Sequence, residues 1–495
     1  MKAEMKKVLV VGAGISGLSA AIYAVRSGFD VTVLEQHNTF GGLSTAWSRK
    51  GYFFEGGMHW LTGSHPALPL NKVWKTVGAL QENNPIENRD PLYTVIDGEK
   101  RVSLHRNVDD MKRELLAFAP EDKKMINRLY RDVKAFSRFY MPVFDVRGCA
   151  CKTPSRQNLW QLMKMLPAVM KVPRLVKQSY EEYVEQFKNK DIQHLLKAVI
   201  GYRYNALSFV YTLGSFASGD CGYPDGGSVR MAKNMEKTFE DLGGKIQYRT
   251  KVERVIVEDG KTKGVQTKDG FIEADAVIVT QDARVAVDAL FDPPLHCSWI
   301  DTMRENVVGE QNMFICLGVK KDLSYLPYCC VFPLEKPFEY GGLTVTEIRI
   351  NNYSKYKAHA PEGCTAITSL LIGDSYDFWK AAKEDGTYRQ KKDELAKLFI
   401  AELEKFIPEI KGNIEVIDVA TPCTYERYCG TYKGSWMSVW EKGGKQFNYP
   451  QDVPGISGLY FAGQRSFMPG GLPIAVDSGR RAAQMLCRDF AQIFV

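Results

Sequence analysis

The start of the chain carries the pattern that most restricts its fold, a glycine-rich turn between an apolar strand and a helix. Val8-Leu9-Val10-Val11 predicts a buried parallel strand, and Gly12-Ala13-Gly14-Ile15-Ser16-Gly17 follows it directly. Glycines at this spacing permit a tight turn, a close approach of the backbone to a pyrophosphate, and close packing of the helix on the strand. The N–H groups at the start of that helix favour an anion. The pattern therefore predicts a dinucleotide-binding βαβ unit.

A second apolar strand ends in an acidic residue, which narrows the choice of dinucleotide. Thr32-Val33-Leu34 leads into Glu35, and a carboxylate at this point accepts hydrogen bonds from the 2′ and 3′ hydroxyl groups of a ribose. The same charge would repel a 2′-phosphate. We therefore expect FAD or NAD rather than NADP.

The size and composition of the chain predict two domains and no nucleic-acid partner. With 495 residues, of which 45% are apolar, the chain is too long for one ordinary core and can fill two. Its 65 basic and 58 acidic residues leave a formal net charge of +7, with no block of like charge. That mild excess gives no reason to expect nucleic acid as a partner.

The eleven cysteines are scattered along the chain and form no CxxC pair. Disulfide frameworks and structural zinc sites use regular spacings, so this distribution predicts free thiols, no metal and a cytoplasmic location. Beyond the N-terminal unit, no uncharged run approaches the roughly 18 apolar residues that a membrane-spanning helix requires.

The pattern along the chain predicts that both ends contribute to the nucleotide-binding domain. Asp259-Gly260 and Asp269-Gly270 are turns between alternating apolar runs, which predict an antiparallel meander, and the apolar residues 276–279 predict a return to the buried sheet. An apolar strand at residues 458–463 and a helix at residues 475–490 complete the chain. We therefore assign residues to a nucleotide-binding domain (1–75, 220–290 and 451–495) and to a substrate-binding domain with a helical cap (76–219 and 291–450).

Six segments, in the same order along the chain, resemble the flavin-containing amine oxidase and phytoene desaturase superfamily, which also includes carotenoid isomerases and retinol saturases. The resemblance spans the whole chain and rests on the glycine-rich turn with Glu35, Gly41-Gly42, Tyr223-Pro224-Asp225-Gly226-Gly227-Ser228, Val252, Glu426-Arg427-Tyr428 and Gly458-Leu459-Tyr460-Phe461-Ala462-Gly463. It implies an α/β fold in which an FAD-binding Rossmann-like domain of the glutathione reductase type 2 is built from discontinuous segments. A substrate domain with a mixed sheet and helices would complete the molecule.

The resemblance also implies that the dinucleotide is FAD and indicates which residues hold it. Adenosine would lie near Glu35 and Val252, the pyrophosphate on the glycine-rich turn, and the flavin near Gly463. A helix that begins after Gly471 would direct its positive end toward the flavin. The full set of expected FAD-binding residues is Gly12, Gly14, Ile15, Ser16, Gly17, Glu35, Gln36, Gly41, Gly42, Leu43, Ser44, Met58, His59, Val252, Gly463, Gln464, Gly471, Leu472 and Ile474.

Two short segments favour the saturase and isomerase branch of this superfamily. Gln464 stands where amine oxidases and desaturases usually have an aspartate, and Gly57-Met58-His59-Trp60 resembles a run in retinol saturases. His59 is the candidate catalytic residue, because an ordinary histidine pKa near neutrality suits proton donation to a substrate carbon. It could instead orient the flavin or be purely structural. Three aromatic residues are either walls of the pocket or members of the core: Tyr425, Tyr428 and Trp436.

Residues 152–177 contain six basic residues, no acidic residue and several apolar residues between them. A basic amphipathic helix of this kind can lie on an anionic membrane surface. The alternative is a cap helix that packs its apolar side on the substrate pocket. Pro167 and Pro173 should kink or divide the helix in either case.

These observations favour hydride transfer between flavin N5 and a carbon of a C–C or C=C unit in a long apolar substrate. The reaction would be saturation, desaturation or isomerisation, and a separate electron donor or acceptor is expected because the sequence contains no second GxGxxG motif. An FAD-dependent amine oxidase is one alternative. A flavin-free lipid-binding protein is the other, since Rab escort and GDP-dissociation inhibitor proteins resemble this fold and hold prenyl chains.

Overall fold

The computed structural model describes residues 5–82, 84–155, 159–201, 203–444, 448–467 and 469–495. Its first layer is a nine-stranded sheet with a parallel centre, in which Lys7–Val11 lies between Asp30–Leu34 and Ala276–Val279. Ala276–Val279 is buried along its whole length, as expected for a strand covered on both faces. In order across the sheet the strands are Val252–Glu258, Lys261–Thr267, Ile456–Phe461, Ala276–Val279, Lys7–Val11, Asp30–Leu34 and Lys245–Gln247, with Gly270–Glu273 and Asp452–Val453 paired at the sides.

Three helices cover this sheet and join the two ends of the chain. Ile15–Arg26 packs against both Leu472–Asp489 and Gly227–Asp241. A Cβ on Gly479 would lie 2.3 Å from the carbonyl oxygen of Ser16, so glycine permits the close contact between the first and last helices. Segments from both ends of the chain therefore build one α/β layer, as the fold prediction requires. The last helix begins at Leu472 rather than at residue 475, because proline fits the first turn of a helix.

A seven-stranded mixed sheet forms the second layer. Its strands are antiparallel, except that Tyr93–Asp97 runs parallel to Cys329–Tyr340. Tyr376–Glu384 and Tyr388–Phe406 pack Trp379, Leu395 and Phe399 against one face of the sheet. In order across the sheet the strands are Ile414–Ala420, Asn312–Val319, Thr365–Ile372, Leu343–Asn352, Cys329–Tyr340, Tyr93–Asp97 and Lys100–Leu104. The domain boundaries given above remain a prediction.

Helices fill the remaining space beside the second sheet. The basic amphipathic segment is divided into two helices: Pro173 lies in the first turn of Val172–Val176, as expected for a division there, whereas Pro167 lies inside the continuous helix Leu159–Val169. Arg156 of this segment is outside the described residues. The other helices of this layer are Val108–Phe118, Lys123–Phe136, Tyr180–Val184, Lys190–Lys197 and Ala206–Ala217.

Shorter elements connect the two layers. The helices are Pro69–Thr76, Ala283–Ala289, Ser298–Asn306 and Pro422–Cys429, and the paired short strands are Ala46–Arg49 with Tyr52–Glu55, Ile86–Glu87 with Tyr223–Pro224, and Gly309–Glu310 with Met437–Ser438. All eleven cysteines are free thiols. Within the described ranges, every helix is too short or too polar to span a bilayer.

Candidate functional site

One large cavity extends from the glycine-rich turn into the space between the second sheet and the helical layer. Its volume is about 1110 Å³, which exceeds the roughly 300–1,000 Å³ of an ordinary small-molecule site. The residues expected to bind FAD line this cavity, with the single exception of Gly17. The structure thus brings together segments from the beginning, middle and end of the chain.

The glycine-rich turn presents backbone rather than side chains to the cavity. Gly14 precedes the helix Ile15–Arg26 and provides no side-chain cap, so N–H groups of the first turn have no intrahelical partner. A Cβ built on Gly14 would approach nothing closer than the carbonyl oxygen of Gly41, at 3.9 Å. The space beside Gly14 is therefore a cradle that a side chain would enter. This cradle fits a pyrophosphate on a helix N-terminus.

Gly17 has a structural role one turn further along the helix. A Cβ at this position would lie 1.9 Å from the carbonyl oxygen of Gly12 and 2.9 Å from Oγ1 of Thr280. Any larger residue would therefore separate the helix from the turn. Gly17 shapes the cradle without facing it.

Glu35 lies at the end of the second strand, where the sequence places the ribose. Its Oε2 accepts a hydrogen bond from the backbone N–H of Ala13 at 2.8 Å, and its Oε1 accepts one from that of His37 at 2.9 Å. A carboxylate has about four acceptor positions, so this side chain is held firmly and can still accept two ribose hydroxyl groups. Val252, from the meander, also lines this end of the cavity.

The Gly41-Gly42 segment is attached directly to the glycine-rich turn. The backbone N–H of Gly41 donates to the carbonyl oxygen of Ala13 at 2.9 Å. Gly41 has a φ of +105°, and a Cβ there would lie 2.5 Å from the carbonyl oxygen of Ser44. Glycine is therefore required for this loop, which brings Leu43 and Ser44 to the cavity wall.

Gln464 lies between the last strand and the last helix and lines the cavity at the end where the flavin is expected. Its Nε2 donates to the carbonyl oxygen of Trp436 at 2.8 Å, and its Oε1 accepts from the backbone N–H of Gly471 at 3.3 Å. The amide thus braces the loop that precedes Leu472, and its second N–H and second lone pair are left for a ligand. An aspartate could not make both contacts.

A buried ion pair, which the sequence analysis did not predict, fixes the loop that contains Gln464. Arg465 donates from Nε and Nη2 to the two carboxylate oxygens of Asp282, at 2.6 and 2.7 Å. Both side chains are almost completely buried, at 2% and 3% exposed. The other guanidinium contacts reach hydroxyl groups of Ser435 and Ser438. This pair fixes the position of Gln464 relative to the residues around Trp436.

Glu55 explains why the Gly226-Gly227-Ser228 motif accompanies the site. Its buried carboxylate accepts hydrogen bonds from the N–H and hydroxyl groups of Ser228, at 2.9 and 2.6 Å, and from the N–H of Gly57, at 2.8 Å. A Cβ on Gly227 would lie 1.9 Å from this carboxylate. Burial raises the pKa of Glu55 above its usual value. These bonds position the segment that carries His59.

His59 lies on the cavity wall between the two ends of the site. Its Nδ1 lies 3.4 Å from Nδ2 of Asn351, and its carbonyl oxygen accepts a hydrogen bond from Arg89 at 3.0 Å. Burial, Arg349 and Arg89 lower its pKa to about 3. The ring is therefore neutral at physiological pH, and the neutral pKa that suggested a proton donor does not apply here. Its role in positioning stays a prediction.

Beyond His59 the cavity is lined mainly by apolar and aromatic side chains, together with Arg89, which is nearly buried, and Arg349, which is partly exposed. The sequence alone did not indicate Arg89 or Arg349, because each is an isolated basic residue in an ordinary strand or loop. Tyr425, Tyr428 and Trp436 all lie on the cavity wall. Further aromatic and apolar members come chiefly from the helical layer: Phe136, Phe139, Val172, Leu207, Tyr211 and Phe216.

Comparison with known proteins places this geometry among flavoenzymes. The sequence profile of the flavin containing amine oxidoreductase family matches residues 15–487. Prolycopene isomerase from Daucus carota is 25% identical over 508 residues, covering 97% of this chain and 80% of the relative. All-trans-retinol 13,14-reductase from Danio rerio is 24% identical over 495 residues, covering 86% of this chain and 76% of the relative. Putrescine oxidase in its putrescine complex is similar in fold, with a TM-score of 0.64 at 15% identity, and the match covers 98% of this chain and 99% of that one.

Proposed function

Because the chain belongs to the flavin-containing amine oxidoreductase family and is an FAD-dependent oxidoreductase, we propose that it changes C–C or C=C bonds of a lipophilic substrate. The substrate class is a polyene, an isoprenoid or a fatty acyl chain, and the reaction is saturation, desaturation or isomerisation. The relatives named above, an isomerase of prolycopene and a reductase of retinol, support this class.

The observation that carries the proposal is the continuity of the cavity. The backbone cradle at Gly14 and the apolar space lined by Phe139 and Tyr211 are parts of one enclosure. Bound FAD supplies a hydride donor or acceptor at N5. The glycine-rich turn and Glu35 would hold its adenosine and phosphates, and Gln464 and the start of the last helix would face its flavin end. The apolar wall would orient an extended chain and exclude water from it.

An amine substrate is not favoured by the charge of the site. Arg89 and Arg349 both line the cavity, and each would repel an ammonium group in this largely apolar enclosure. The similarity to putrescine oxidase concerns the fold. A second redox partner is proposed for saturation or desaturation, whereas isomerisation needs none.

Anaerobic photoreduction of the holoenzyme, followed by incubation with retinoids, carotenoids and fatty acyl chains, tests the proposed function. We expect a product whose mass has risen by two hydrogens for saturation, or an unchanged mass with altered retention for isomerisation. Oxidised enzyme should give a loss of two hydrogens for desaturation. Peroxide release with amines and no change in any lipid would contradict the proposal.

A membrane surface is the proposed source of the substrate. The helix Leu159–Val169 buries Met165 and Ala168 but exposes six large apolar side chains on and just beyond its outer face: Leu159, Trp160, Met163, Leu166, Val169 and Met170. Lys152, Lys164 and Lys177 of the same basic segment are exposed, whereas Lys171 and Arg174 pair with Asp132 at 2.9 and 2.6 Å. Val172, in the next helix, lines the cavity. An anionic bilayer matches both the exposed apolar side chains and the exposed lysines of this segment.

Sedimentation with vesicles containing phosphatidylserine tests this contact. Replacing Trp160 and Met163 together by glutamate should reduce the bound fraction at least fivefold. Leu398→Glu is the matched control, because Leu398 is also exposed, at 42%, but lies on a different helix. Equal loss of binding in both variants, or no binding by the wild-type protein, would refute the proposed contact.

A further inference from the structure

Arg89 and Arg349, two of the arginines that line the cavity, form a site whose ligand the family assignment does not specify. Arg89 follows the short strand Ile86–Glu87, and Arg349 lies on the strand Leu343–Asn352 of the second sheet. Asn351 is two residues beyond Arg349 and therefore projects from the same face of that strand. All three side chains line the cavity together with His59. We propose that these groups bind the carboxylate of a long-chain acid, so that the substrate is a lipophilic chain with an anionic end.

Arg89 is held rigidly by its surroundings. Its guanidinium carbon lies 3.5 Å from the ring centre of Tyr328 and 4.1 Å from that of Tyr223. Its Nε donates to the hydroxyl oxygen of Tyr356 at 2.6 Å, and its Nη1 donates to the carbonyl oxygen of His59 at 3.0 Å. The plane of the guanidinium is thereby fixed. A guanidinium held in this way loses little conformational entropy when an anion binds beside it.

One edge of this guanidinium lacks a protein partner. The Nη2 atom of Arg89 is buried and makes no hydrogen bond to any described residue. The Arg89 side chain as a whole is only 9% exposed. A buried donor without a partner is costly. That atom has no surface open to the cavity, so Arg89 would act on an anion there through its charge, whereas Arg349 and Asn351 would offer the hydrogen-bond donors.

The positive charge of the site is not balanced within the protein. Arg349 donates to the carbonyl oxygen of Ala198 at 2.5 Å, and among the described residues no carboxylate lies within 4.0 Å of it. The nearest acid to Arg89 is Glu87, at 3.8 Å, and that side chain is half exposed. Glu310 also lines the cavity, but burial raises its pKa to about 8, which keeps it mainly neutral at pH 7. Arg89, which is nearly buried, and Arg349, which is partly exposed, therefore line the cavity, and among the described residues neither has a buried carboxylate within 4.0 Å.

The remaining residues of the cavity wall indicate which kind of molecule carries the carboxylate. Phe136, Phe139, Leu207 and Phe216 belong to the same cavity and offer no hydrogen-bonding side-chain group. An apolar chain would occupy this part while its carboxylate reaches the arginines. A plain hydrocarbon would leave the charge of Arg89 unbalanced, and an amine would be repelled. This inference rests on the proposed function for the identity of the reaction, but the binding preference can be measured without any turnover.

The test measures how tightly FAD-loaded enzyme binds lipids that share one apolar chain and differ only in the end group, which is an acid, an alcohol or a methyl ester. The probes are retinoic acid, retinol and methyl retinoate, and a second set of oleic acid, oleyl alcohol and methyl oleate. Dissociation constants are obtained from quenching of tryptophan fluorescence, since Trp60, Trp436 and Trp440 line the cavity. We expect the acid of at least one set to bind at least tenfold more tightly than its methyl ester.

Variants locate that preference in the structure. Arg349→Gln should reduce the acid-to-ester ratio at least fivefold, with a remainder from the charge of Arg89, and should leave the ester affinity and the FAD content unchanged. Arg349→Lys should retain more of the preference. Arg113→Gln is the matched control, because it removes the same charge from a surface arginine that is 76% exposed. Its ratio should equal that of the wild type.

The outcomes separate this inference from the proposed function. Equal affinity for acid and ester in both sets, or a preference that is undiminished in Arg349→Gln, overturns the carboxylate site even if a lipid is converted. A preference that falls at least fivefold in Arg349→Gln supports the site, and does so even if no tested lipid is converted, in which case the proposed reaction is the part that fails.

Discussion

Two alanine substitutions in the glycine-rich turn should separate cofactor binding from folding. One should weaken mainly FAD binding, and the other should lower mainly the stability of the apoprotein. Gly14 has a φ of −76°, which any residue adopts, and a Cβ there would have only ordinary contacts, the nearest at 3.9 Å. Gly14→Ala should therefore leave the apoprotein folded and place a methyl group in the phosphate cradle. Gly17→Ala instead places a Cβ 1.9 Å from the carbonyl oxygen of Gly12. That substitution should destabilise the apoprotein itself.

The size of each effect follows from these contacts. At Gly14 the loss of one charge-assisted hydrogen bond to phosphate costs about 1.5–3 kcal/mol, which weakens FAD binding by about tenfold to 150-fold. The free energy of unfolding of the Gly14→Ala apoprotein should change by no more than about 1 kcal/mol, since alanine caps a helix less well than glycine but restricts the unfolded chain. At Gly17 the overlap requires the helix to move, which costs about 1–3 kcal/mol or more.

Two measurements on each apoprotein distinguish these effects: the midpoint of urea unfolding, and the dissociation constant of FAD from flavin fluorescence. We expect Gly14→Ala to shift mainly the dissociation constant and Gly17→Ala to shift mainly the midpoint. Wild-type FAD affinity in Gly14→Ala would refute the assignment of the cradle. A Gly17→Ala apoprotein as stable as the wild type would refute the packing argument.

Two further predictions concern the buried polar groups around the site. Asp282→Asn should lower the free energy of unfolding by about 3–5 kcal/mol, because it leaves the Arg465 charge buried without its partner. Denaturant titration should show a smaller loss of this free energy in the double variant Asp282→Leu/Arg465→Met. Strictly additive losses would contradict the coupling between the two side chains. His59 is neutral in the folded protein down to about pH 3 but takes up a proton near pH 6.5 when unfolded, so stability should fall as the pH decreases through this range. His59→Gln should remove that part of the pH dependence, and an unchanged slope would contradict the low pKa.

The phosphate-binding part of the cofactor site could be predicted from the sequence because it is built from residues that lie close together in the chain. A tight turn, a missing Cβ and a free helix N-terminus are local properties, and each leaves a trace in the type of residue at a given spacing. Glu35 follows its strand directly, and Gly41 contacts Ala13 after a short connection. The last helix, predicted over residues 475–490, begins three residues earlier, at Leu472, with a proline in its first turn.

The substrate end could not be predicted, because its residues meet only through the topology of the second sheet. The strand Cys329–Tyr340 connects Tyr93–Asp97 to Leu343–Asn352, with Cys330 opposite Thr94 and Val331 opposite Arg349. An arginine that alternates with apolar residues on a strand usually faces solvent. Only the order of strands shows that this face of the sheet is a cavity wall. The pair of Asp282 and Arg465 has the same origin, since 183 positions separate its members.

The two ends of the site therefore differ in what a substitution can change. The cradle at Gly14 uses backbone groups, which are the same in every residue, so its selectivity is limited to the cofactor. The opposite end uses individual side chains, and replacing Arg349 alters the charge presented to a substrate without touching the phosphate cradle. His59 lies between them and, being neutral, contributes shape and one weak polar contact rather than charge. Substrate choice in this enzyme should consequently depend on the strand that carries Arg349 and Asn351 more than on the glycine-rich turn that identifies its cofactor.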